Sequence, residues 1–154
     1  MEFDDLIKTR HSVREYSSQK IESAVLEKIL AQGNLAPTSR NKKPCTFFTV
    51  TDRDMLEKLS VAKAAGSQML KDAAAAIVVA ADSEKSDVWI EDASIAMTYL
   101  HLAATDAGLG SCWIQLRKRQ SKDGKDSALY VKELLGLEKN LEVLAVLSLG
   151  VKVS

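Results

Sequence analysis

Apolar residues recur three to four positions apart in five segments of this chain, a spacing typical of helices that bury one face. The predicted helices cover about 3–10, 21–33, 51–59, 86–107 and 128–135. Pro37 limits the second helix to the region before Gly33-Asn34, because proline disfavours helical geometry at the residue that precedes it. Thr51 and Asp54 together resemble a capping box at the start of the third helix.

Four short apolar runs lie between these helices and predict strands over 46–50, 73–81, 111–116 and 141–149. The run at 73–81 is rich in alanine, which favours a helix, but its short length and the triplet Ile77-Val78-Val79 favour a buried strand. Helices that alternate with strands predict a layered sheet covered by helices. With 154 residues, the chain is expected to form a single domain, 1–154.

The predicted helix at 86–107 is apolar on nearly every side. Such a helix is buried, either at the centre of a domain or against a second subunit. His101 lies within this helix and is expected to be a hydrogen-bonded core residue. Cys112, in the strand that follows, is expected to fill the core as a small apolar side chain.

Composition narrows the classes of function. The 21 basic and 21 acidic residues cancel, so the chain has no general electrostatic attraction to nucleic acid or to a membrane surface. No uncharged apolar run reaches the length of a membrane span, and the acidic N-terminus lacks the features of a signal peptide. The two cysteines are expected to be reduced thiols, and two distant histidines do not make a metal site. A cytoplasmic protein without a metal is the expectation.

Two arginines and a hydroxyl group lie within five residues near the N-terminus, in the segment Arg10-His11-Ser12-Val13-Arg14. Guanidinium groups match phosphate oxygens and can donate two charge-assisted hydrogen bonds each. If the segment is extended, Arg10, Ser12 and Arg14 point to the same side and form a cradle for an anion. The alternative is a solvated basic loop in which Arg14 pairs with Glu15 or another acid. On this segment alone, the alternative is favoured.

A polar loop bounded by Pro37 and Pro44 follows the second helix. Thr38, Ser39 and Asn41 offer short donors and acceptors there, and an Asn amide suits the alternating edge of a pyrimidine-like ring. The same residue types also make ordinary turns. The loop contains no acidic residue and lies close in sequence to the arginine pair, which together favour a phosphorylated aromatic cofactor, with FMN as the candidate.

Three segments carry a more specific signal when they are taken together. Residues 10–16 are similar to an Arg-x-Ser-x-Arg-x-aromatic signature, and residues 36–45 to an Ala-Pro-Ser-x-x-Asn-x-Gln-Pro-Trp loop. Residues 102–113 resemble the end of a long helix that runs into a Gly-Leu-Gly-Ser turn and a strand. In this order, the three segments resemble those of the FMN-dependent nitroreductase family, and the resemblance covers essentially the whole chain.

The resemblance implies an α+β, nitroreductase-like fold: a central mixed or antiparallel β-sheet flanked by helices, in a homodimer with FMN at the subunit interface. The phosphate and ribityl chain of FMN are then assigned to Arg10, Ser12 and Arg14, with a backbone contact from His11. The isoalloxazine ring is assigned to residues of the other subunit, namely Pro37, Thr38, Ser39 and Asn41. The resemblance also places Gly110 and Ser111 near the ring, with backbone amides towards its N5 atom.

The chain departs from the family pattern at three places. Lys43 stands where glutamine is usual, and Cys45 where tryptophan is usual. The chain also ends at Ser154, whereas many relatives continue with a further basic phosphate ligand and an arm around the partner, so Lys152 is a weak substitute. Lower FMN affinity or a looser dimer is therefore left open. If Lys43 lies near the N1–O2 edge of the flavin, it would stabilise the anionic reduced form.

The implied activity is electron transfer from NAD(P)H to a nitroaromatic, quinone or similar electron-poor acceptor in a ping-pong cycle. The flavin performs this chemistry, so no side chain is needed as a catalyst. The alternative is a protein that stores or senses FMN without turnover. Nucleic-acid binding through Arg117-Lys118-Arg119 is disfavoured, because no stacking aromatic residues are interleaved with these charges.

Overall fold

A four-stranded antiparallel sheet forms the centre of the computed structural model, which describes residues 1–153 and leaves Ser154 outside the described residues. The strand order is β1-β2-β4-β3. The strands are β1 Cys45–Val50, β2 Ala75–Asp82, β3 Gly110–Gln115 and β4 Leu141–Gly150. All four predicted strands are confirmed, and the alanine-rich run is indeed a strand.

The central strand β2 is buried on both faces, and this explains its composition. Alternate residues of a strand point to opposite faces of the sheet. Ile77 and Val79 join one core cluster with residues of α2 (Ser23–Gly33) and α4 (Trp89–Asp106). Val78 and Ala80 join a second cluster on the other face. Because both faces are covered by protein, the strand has no polar side chain before its last residue, Asp82.

Helices cover the two faces of the sheet. The second cluster includes residues of α3 (Arg53–Ser60) and α5 (Ser127–Leu134), so these two helices lie opposite α2 and α4. The N-terminal helix α1 (Phe3–Thr9) packs beside α4, and single 3-10 turns occur at Ser39–Asn41 and Gln68–Asp72. The predicted α+β class, with helices flanking a central sheet, is confirmed.

Two helix starts differ from the prediction. The N-cap of α3 is Asp52, whose side chain accepts a hydrogen bond from the backbone N–H of Met55, and not Thr51. Helix α4 begins at Trp89 and not at Ser86-Asp87. The carboxylate of Asp82 accepts hydrogen bonds from the backbone N–H groups of residues 84 and 85, which makes a turn that competes with a helical start.

Helix α4 is buried on one side only. Its exposed side carries Ile95 and Tyr99, which are 40% and 39% exposed. The neighbouring α1 has no buried residue, and its Phe3 and Ile7 are 69% and 46% exposed. Burial of the whole helix at the centre of one domain is therefore wrong, and burial against a second subunit stays a prediction. An exposed apolar surface is left on α1 and α4. No helix within residues 1–153 is both long enough and apolar enough to cross a membrane.

Candidate functional site

The arginine segment runs extended along the edge of strand β3. The backbone N–H of Val13 donates to the carbonyl of Ser111 at 2.9 Å, and Ser12 forms a parallel bridge with Ser111. Tyr16 forms an antiparallel bridge with Lys152, which follows β4. The structure thus places the candidate residues 10–14 beside the candidate residues Gly110 and Ser111.

Gly110 is required for this close approach. A Cβ atom at Gly110 would lie 2.7 Å from Cγ1 of Val13 and 2.9 Å from Cγ of Lys152, closer than real side chains come. Gly110 and Ser111 are both buried beneath the segment. Gly110 and Ser111 therefore contact the arginine segment directly, and their contact with a flavin ring stays a prediction.

Arg10 is bound to a buried histidine of α4. Its Nη1 atom lies 3.3 Å from Nε2 of His101, and Nδ1 of His101 lies 2.6 Å from Oγ of Ser111. His101 is 5% exposed, and burial, with a smaller contribution from the Arg10 charge, lowers its pKa to about 4. The ring is therefore neutral at pH 7. The prediction of a hydrogen-bonded core histidine is confirmed, but the sequence did not show that its partner is Arg10.

In the part of the chain that the structure describes, no acidic residue pairs with the positive charges of this segment. Within residues 1–153, no carboxylate comes within 4.0 Å of Arg10 or Arg14, so the pairing of Arg14 with Glu15 does not occur. Arg10 is half-buried, and Ser12 and Arg14 are exposed. Lys152 lies beside Gly110 and adds a third cation. An extended backbone with uncompensated guanidinium groups can bind an anion such as a phosphate ester.

The second candidate segment, the loop of residues 36–44, has a strained backbone. Arg40, Asn41 and Lys43 have φ angles of 52°, 54° and 50°. This left-handed conformation costs an L-residue about 1–2 kcal/mol. Three such residues within four positions persist only where neighbouring contacts hold them, and strain of this kind is concentrated at functional sites.

A buried carboxylate on α4 holds this loop. Asp92 is 2% exposed, and its Oδ1 atom accepts a hydrogen bond from the backbone N–H of Ser39 at 2.8 Å. Its Oδ2 atom accepts a 2.8 Å hydrogen bond from Oγ of Ser86. Within the loop, the backbone N–H of Lys43 donates to Oγ1 of Thr38 at 3.0 Å. Pro37, Asn41 and Lys43 remain exposed, so the loop presents them to its surroundings.

A small cavity of about 170 Å³ lies beside the loop and reaches Cys45, Phe47 and Ala96. Burial, with a smaller contribution from the charge of Asp92, raises the pKa of the Cys45 thiol to about 11. The thiol is therefore protonated at neutral pH and is a poor nucleophile.

The two segments are attached to opposite edges of the buried side of α4. Asp92 holds the loop and His101 holds Arg10, nine residues further along the helix. Nine residues correspond to a rise of about 13.5 Å and about 2.5 turns, which is half a turn in direction. One chain therefore does not bring the loop and the arginine segment to the same point.

Sequence reasoning missed two tertiary contacts, that of Asp92 with Ser39 and that of His101 with Arg10. Helix α4 buries eight residues, and these two are the only ones with polar side chains. A buried acid and a buried histidine inside an apolar helix need specific partners. The presence of an acid and a histidine in an otherwise apolar helix was the available signal. The sequence alone does not show which segments supply their hydrogen-bond partners.

A family model and a curated relative match nearly the whole chain and indicate the same family. The "Nitroreductase family" model matches residues 7–66 and 60–151. A curated relative from Archaeoglobus fulgidus, provisionally named an NADH dehydrogenase/NAD(P)H nitroreductase, is 42% identical over 149 residues, covering 94% of this chain and 82% of the relative.

Solved structures agree with the sequence matches. An FMN-dependent nitroreductase from Clostridium difficile R20291 superimposes with a TM-score of 0.93 and 41% identity, covering 97% of this chain and 87% of that one. A protein from Parabacteroides distasonis, provisionally named an NADH dehydrogenase/NAD(P)H nitroreductase, gives a TM-score of 0.90 and 32% identity, covering 97% and 86%. Two-thirds or more of each of these relatives is covered, and this chain belongs to the nitroreductase family.

Proposed function

We propose that this chain binds FMN between two copies of itself and transfers electrons from NAD(P)H to nitroaromatic, quinone or similar electron-poor acceptors. The observation that carries the proposal is the half-buried guanidinium of Arg10, which within residues 1–153 has a neutral histidine and no carboxylate as its partner. A cation in this state lacks a counter-ion, and the phosphate of FMN supplies one.

The arginine segment forms the phosphate end of the proposed site. Arg10, Ser12 and Arg14 bind the phosphate and the ribityl chain, and His11 contributes its backbone. Lys152 adds positive charge from the chain that follows β4. These residues fit the phosphate of FMN, since the segment is extended and offers donors without a competing acid among residues 1–153.

The loop of residues 36–44 forms the ring end of the proposed site, and it comes from the other protomer. Pro37, Thr38, Ser39 and Asn41 approach the isoalloxazine, and Lys43 lies near its N1–O2 edge. The half-turn offset between Asp92 and His101 supports this division, because one chain directs the two segments to different sides of α4. The open apolar surface of α1 and α4 supports a two-fold dimer, because burial of Ile95 and Tyr99 would stabilise it.

Bound FMN supplies the hydride and electron chemistry, and the protein supplies binding, orientation and electrostatics. In the proposed ping-pong cycle, NAD(P)H gives up its hydride and leaves as NAD(P)⁺ before the acceptor enters the same space. The protein needs no nucleophile for this cycle, and the protonated Cys45 thiol is consistent with that. A protein that stores or senses FMN is the second candidate, and the same residues would bind FMN in it.

The test of binding uses purified protein. We expect a yellow protein that releases free FMN on denaturation, and an Arg10→Ala/Arg14→Ala variant that retains little FMN. Lys28→Ala, which removes an exposed cation on α2, should bind like the unchanged chain. A colourless protein that takes up no added FMN contradicts the proposal.

The test of turnover separates the two candidates. Steady-state oxidation of NADH and NADPH is measured with menadione or a nitrofuran as acceptor. Turnover that requires bound FMN supports the electron-transfer function. Tight FMN binding with no oxidation of either nucleotide supports storage or sensing.

A further inference from the structure

Three separate elements meet in a chain of two hydrogen bonds. Arg10 comes from the end of α1, His101 from the middle of α4 and Ser111 from the start of β3. Nη1 of Arg10 contacts Nε2 of His101 at 3.3 Å, and Nδ1 of His101 contacts Oγ of Ser111 at 2.6 Å. Such an arrangement fixes the imidazole ring at both nitrogen atoms.

The chemistry of arginine decides which nitrogen carries the proton. A guanidinium group has donors only, so Nε2 of His101 must accept the hydrogen bond from Arg10. A neutral imidazole has one donor and one acceptor, and Nδ1–H therefore donates to Oγ of Ser111. The opposite tautomer, or a doubly protonated ring, would set two N–H donors against each other.

The charges around the ring agree with a neutral form. His101 faces the cation of Arg10 and the ring of His11, both on the N-terminal segment, and Ser111 on β3 is uncharged. Within residues 1–153, no carboxylate lies within 4.0 Å of either histidine. Arg10 is thus held by an acceptor that leaves its full positive charge in place. A carboxylate at the same place would form an ion pair and compete with a bound anion.

We propose that His101 is a positioning residue for the phosphate site: its Nδ1–H tautomer, anchored on Ser111, directs the guanidinium of Arg10 so that its remaining donors face a phosphate ester without loss of charge. This inference rests on the proposed function, because it assigns a phosphate ester as the ligand of Arg10. It adds a buried residue that the family motifs in the sequence do not include.

Two substitutions of His101 distinguish its hydrogen bond with Arg10 from its hydrogen bond with Ser111. The side-chain amide of glutamine reaches about as far as Nε2 of histidine, and that of asparagine about as far as Nδ1. His101→Gln therefore keeps an acceptor for Arg10, whereas His101→Asn keeps only the contact with Ser111. We expect His101→Asn to weaken FMN binding about tenfold and His101→Gln to retain most of the affinity.

Riboflavin, which lacks the phosphate, shows whether the effect passes through Arg10. FMN and riboflavin affinities are measured by quenching of flavin fluorescence, together with the urea unfolding of each variant. We expect His101→Asn to lower the preference for FMN over riboflavin about tenfold, and to change little in an Arg10→Met background. Equal losses for both flavins, or no difference between Asn and Gln variants of equal stability, overturn the inference. An unchanged chain that binds neither flavin contradicts the proposed function instead.

A measurement on the unchanged chain covers the case in which a variant does not fold. ¹⁵N NMR of the imidazole nitrogen atoms reports the tautomer, and His11→Asn assigns the two histidines. We expect His101 to carry its proton on Nδ1 at pH 7. A proton on Nε2 overturns the inference, because Nε2 could then not accept from Arg10.

Discussion

The carboxylate of Asp92 and the backbone N–H of Ser39 form a 2.8 Å hydrogen bond that fixes the loop of residues 36–44 on helix α4. The loop is 53 positions before the acid in sequence, so this is a tertiary contact. It also holds a backbone with three left-handed residues.

Asp92→Ala should therefore destabilise the protein. Two donors, the half-buried Ser39 N–H and the buried Ser86 hydroxyl, would lose their acceptor, at a cost of about 2–3 kcal/mol in the free energy of unfolding. Urea denaturation measures this loss. Asp87→Ala, an exposed acid just before α4, should change stability by less than about 0.5 kcal/mol. Equal effects of the two substitutions contradict the assignment.

Gly110→Ala should displace the arginine segment. The added methyl group overlaps Val13 and Lys152, and such overpacking costs about 1–3 kcal/mol. Because the segment carries Arg10 and Arg14, FMN affinity should fall as well. Gly108→Ala is the matched control, since Gly108 has a φ of 80° and open space around it. It should lower stability through backbone strain and leave FMN affinity of the folded protein nearly unchanged.

Tyr16 should make the protein sensitive to alkaline pH. Its hydroxyl donates to the Val13 carbonyl at 2.6 Å, and burial raises its pKa to about 12 from an ordinary value of 10. The folded state favours the protonated phenol. The contribution of Tyr16 to the free energy of unfolding is therefore complete below pH 10 and is lost as pH rises from about 10 to 12. The difference of two pKa units corresponds to about 2–3 kcal/mol.

The free energy of unfolding at pH 8–12 measures this effect. Tyr16→Phe should be less stable at pH 8, and its stability should fall less steeply above pH 10 than that of the unchanged chain. Cys45 contributes from about pH 9 in both proteins, so the difference between them isolates Tyr16.

Ile95→Asp should weaken the proposed dimer and the binding of FMN together. It places a charge in the exposed apolar surface of α4, where desolvation on association would be costly. Sedimentation equilibrium measures the dimer, and flavin absorbance measures binding. Leu129→Asp changes a 47% exposed residue on α5, on the opposite face of the sheet, and should affect neither.

A shared site also predicts complementation between two defective variants. Arg14→Ala impairs the phosphate end and Asn41→Ala the ring end. If each site combines two protomers, a random mixture should regain about a quarter of the intact sites, because half of the dimers are mixed and each mixed dimer has one intact site. Recovery of no FMN binding after subunit exchange contradicts a shared site.

Lys43→Gln should lower the midpoint potential of bound flavin. Reduction adds negative charge, and a nearby cation stabilises it, by on the order of 30 mV per 1.4 kcal/mol for a two-electron couple. A spectroelectrochemical titration measures the potential. Lys42→Gln removes the neighbouring charge and serves as control. An unchanged potential in Lys43→Gln refutes the assignment of Lys43 to the N1–O2 edge.

The fold was predictable because its signals are local. Apolar runs and periodic positions predicted the five α-helices and four strands but not the two 3-10 turns. Strand β2 shows that short length and β-branched residues outweigh the helix propensity of alanine in a fully covered strand. The start of α4 was missed by three residues because Asp82 makes its own turn. The choice of Asp52 over Thr51 as a cap depends on backbone angles that a sequence does not specify.

The site was predictable only in part. The resemblance indicated the residues that are expected to face a ligand. It did not indicate Asp92 and His101, which hold Ser39 and Arg10 through contacts between residues 53 and 91 positions apart in sequence. The left-handed conformation of Arg40, Asn41 and Lys43 was also hidden, because none of these positions is a glycine. Long-range partners and strain arise from tertiary packing, which local patterns do not encode.

Helix α4 is a single rigid rod with one attachment point in its first turn, at Asp92, and a second just beyond its middle, at His101. Its length fixes the spacing between the two attachment points, and neither the sheet nor the surface loops can alter it without breaking the rod. In the proposed dimer, the shape of each composite pocket would therefore depend mainly on the angle and offset at which two such rods cross. Substitutions on the outer side of the rod, far from any flavin atom, would then be an effective way to alter the width of the pocket and the size of the molecules it admits.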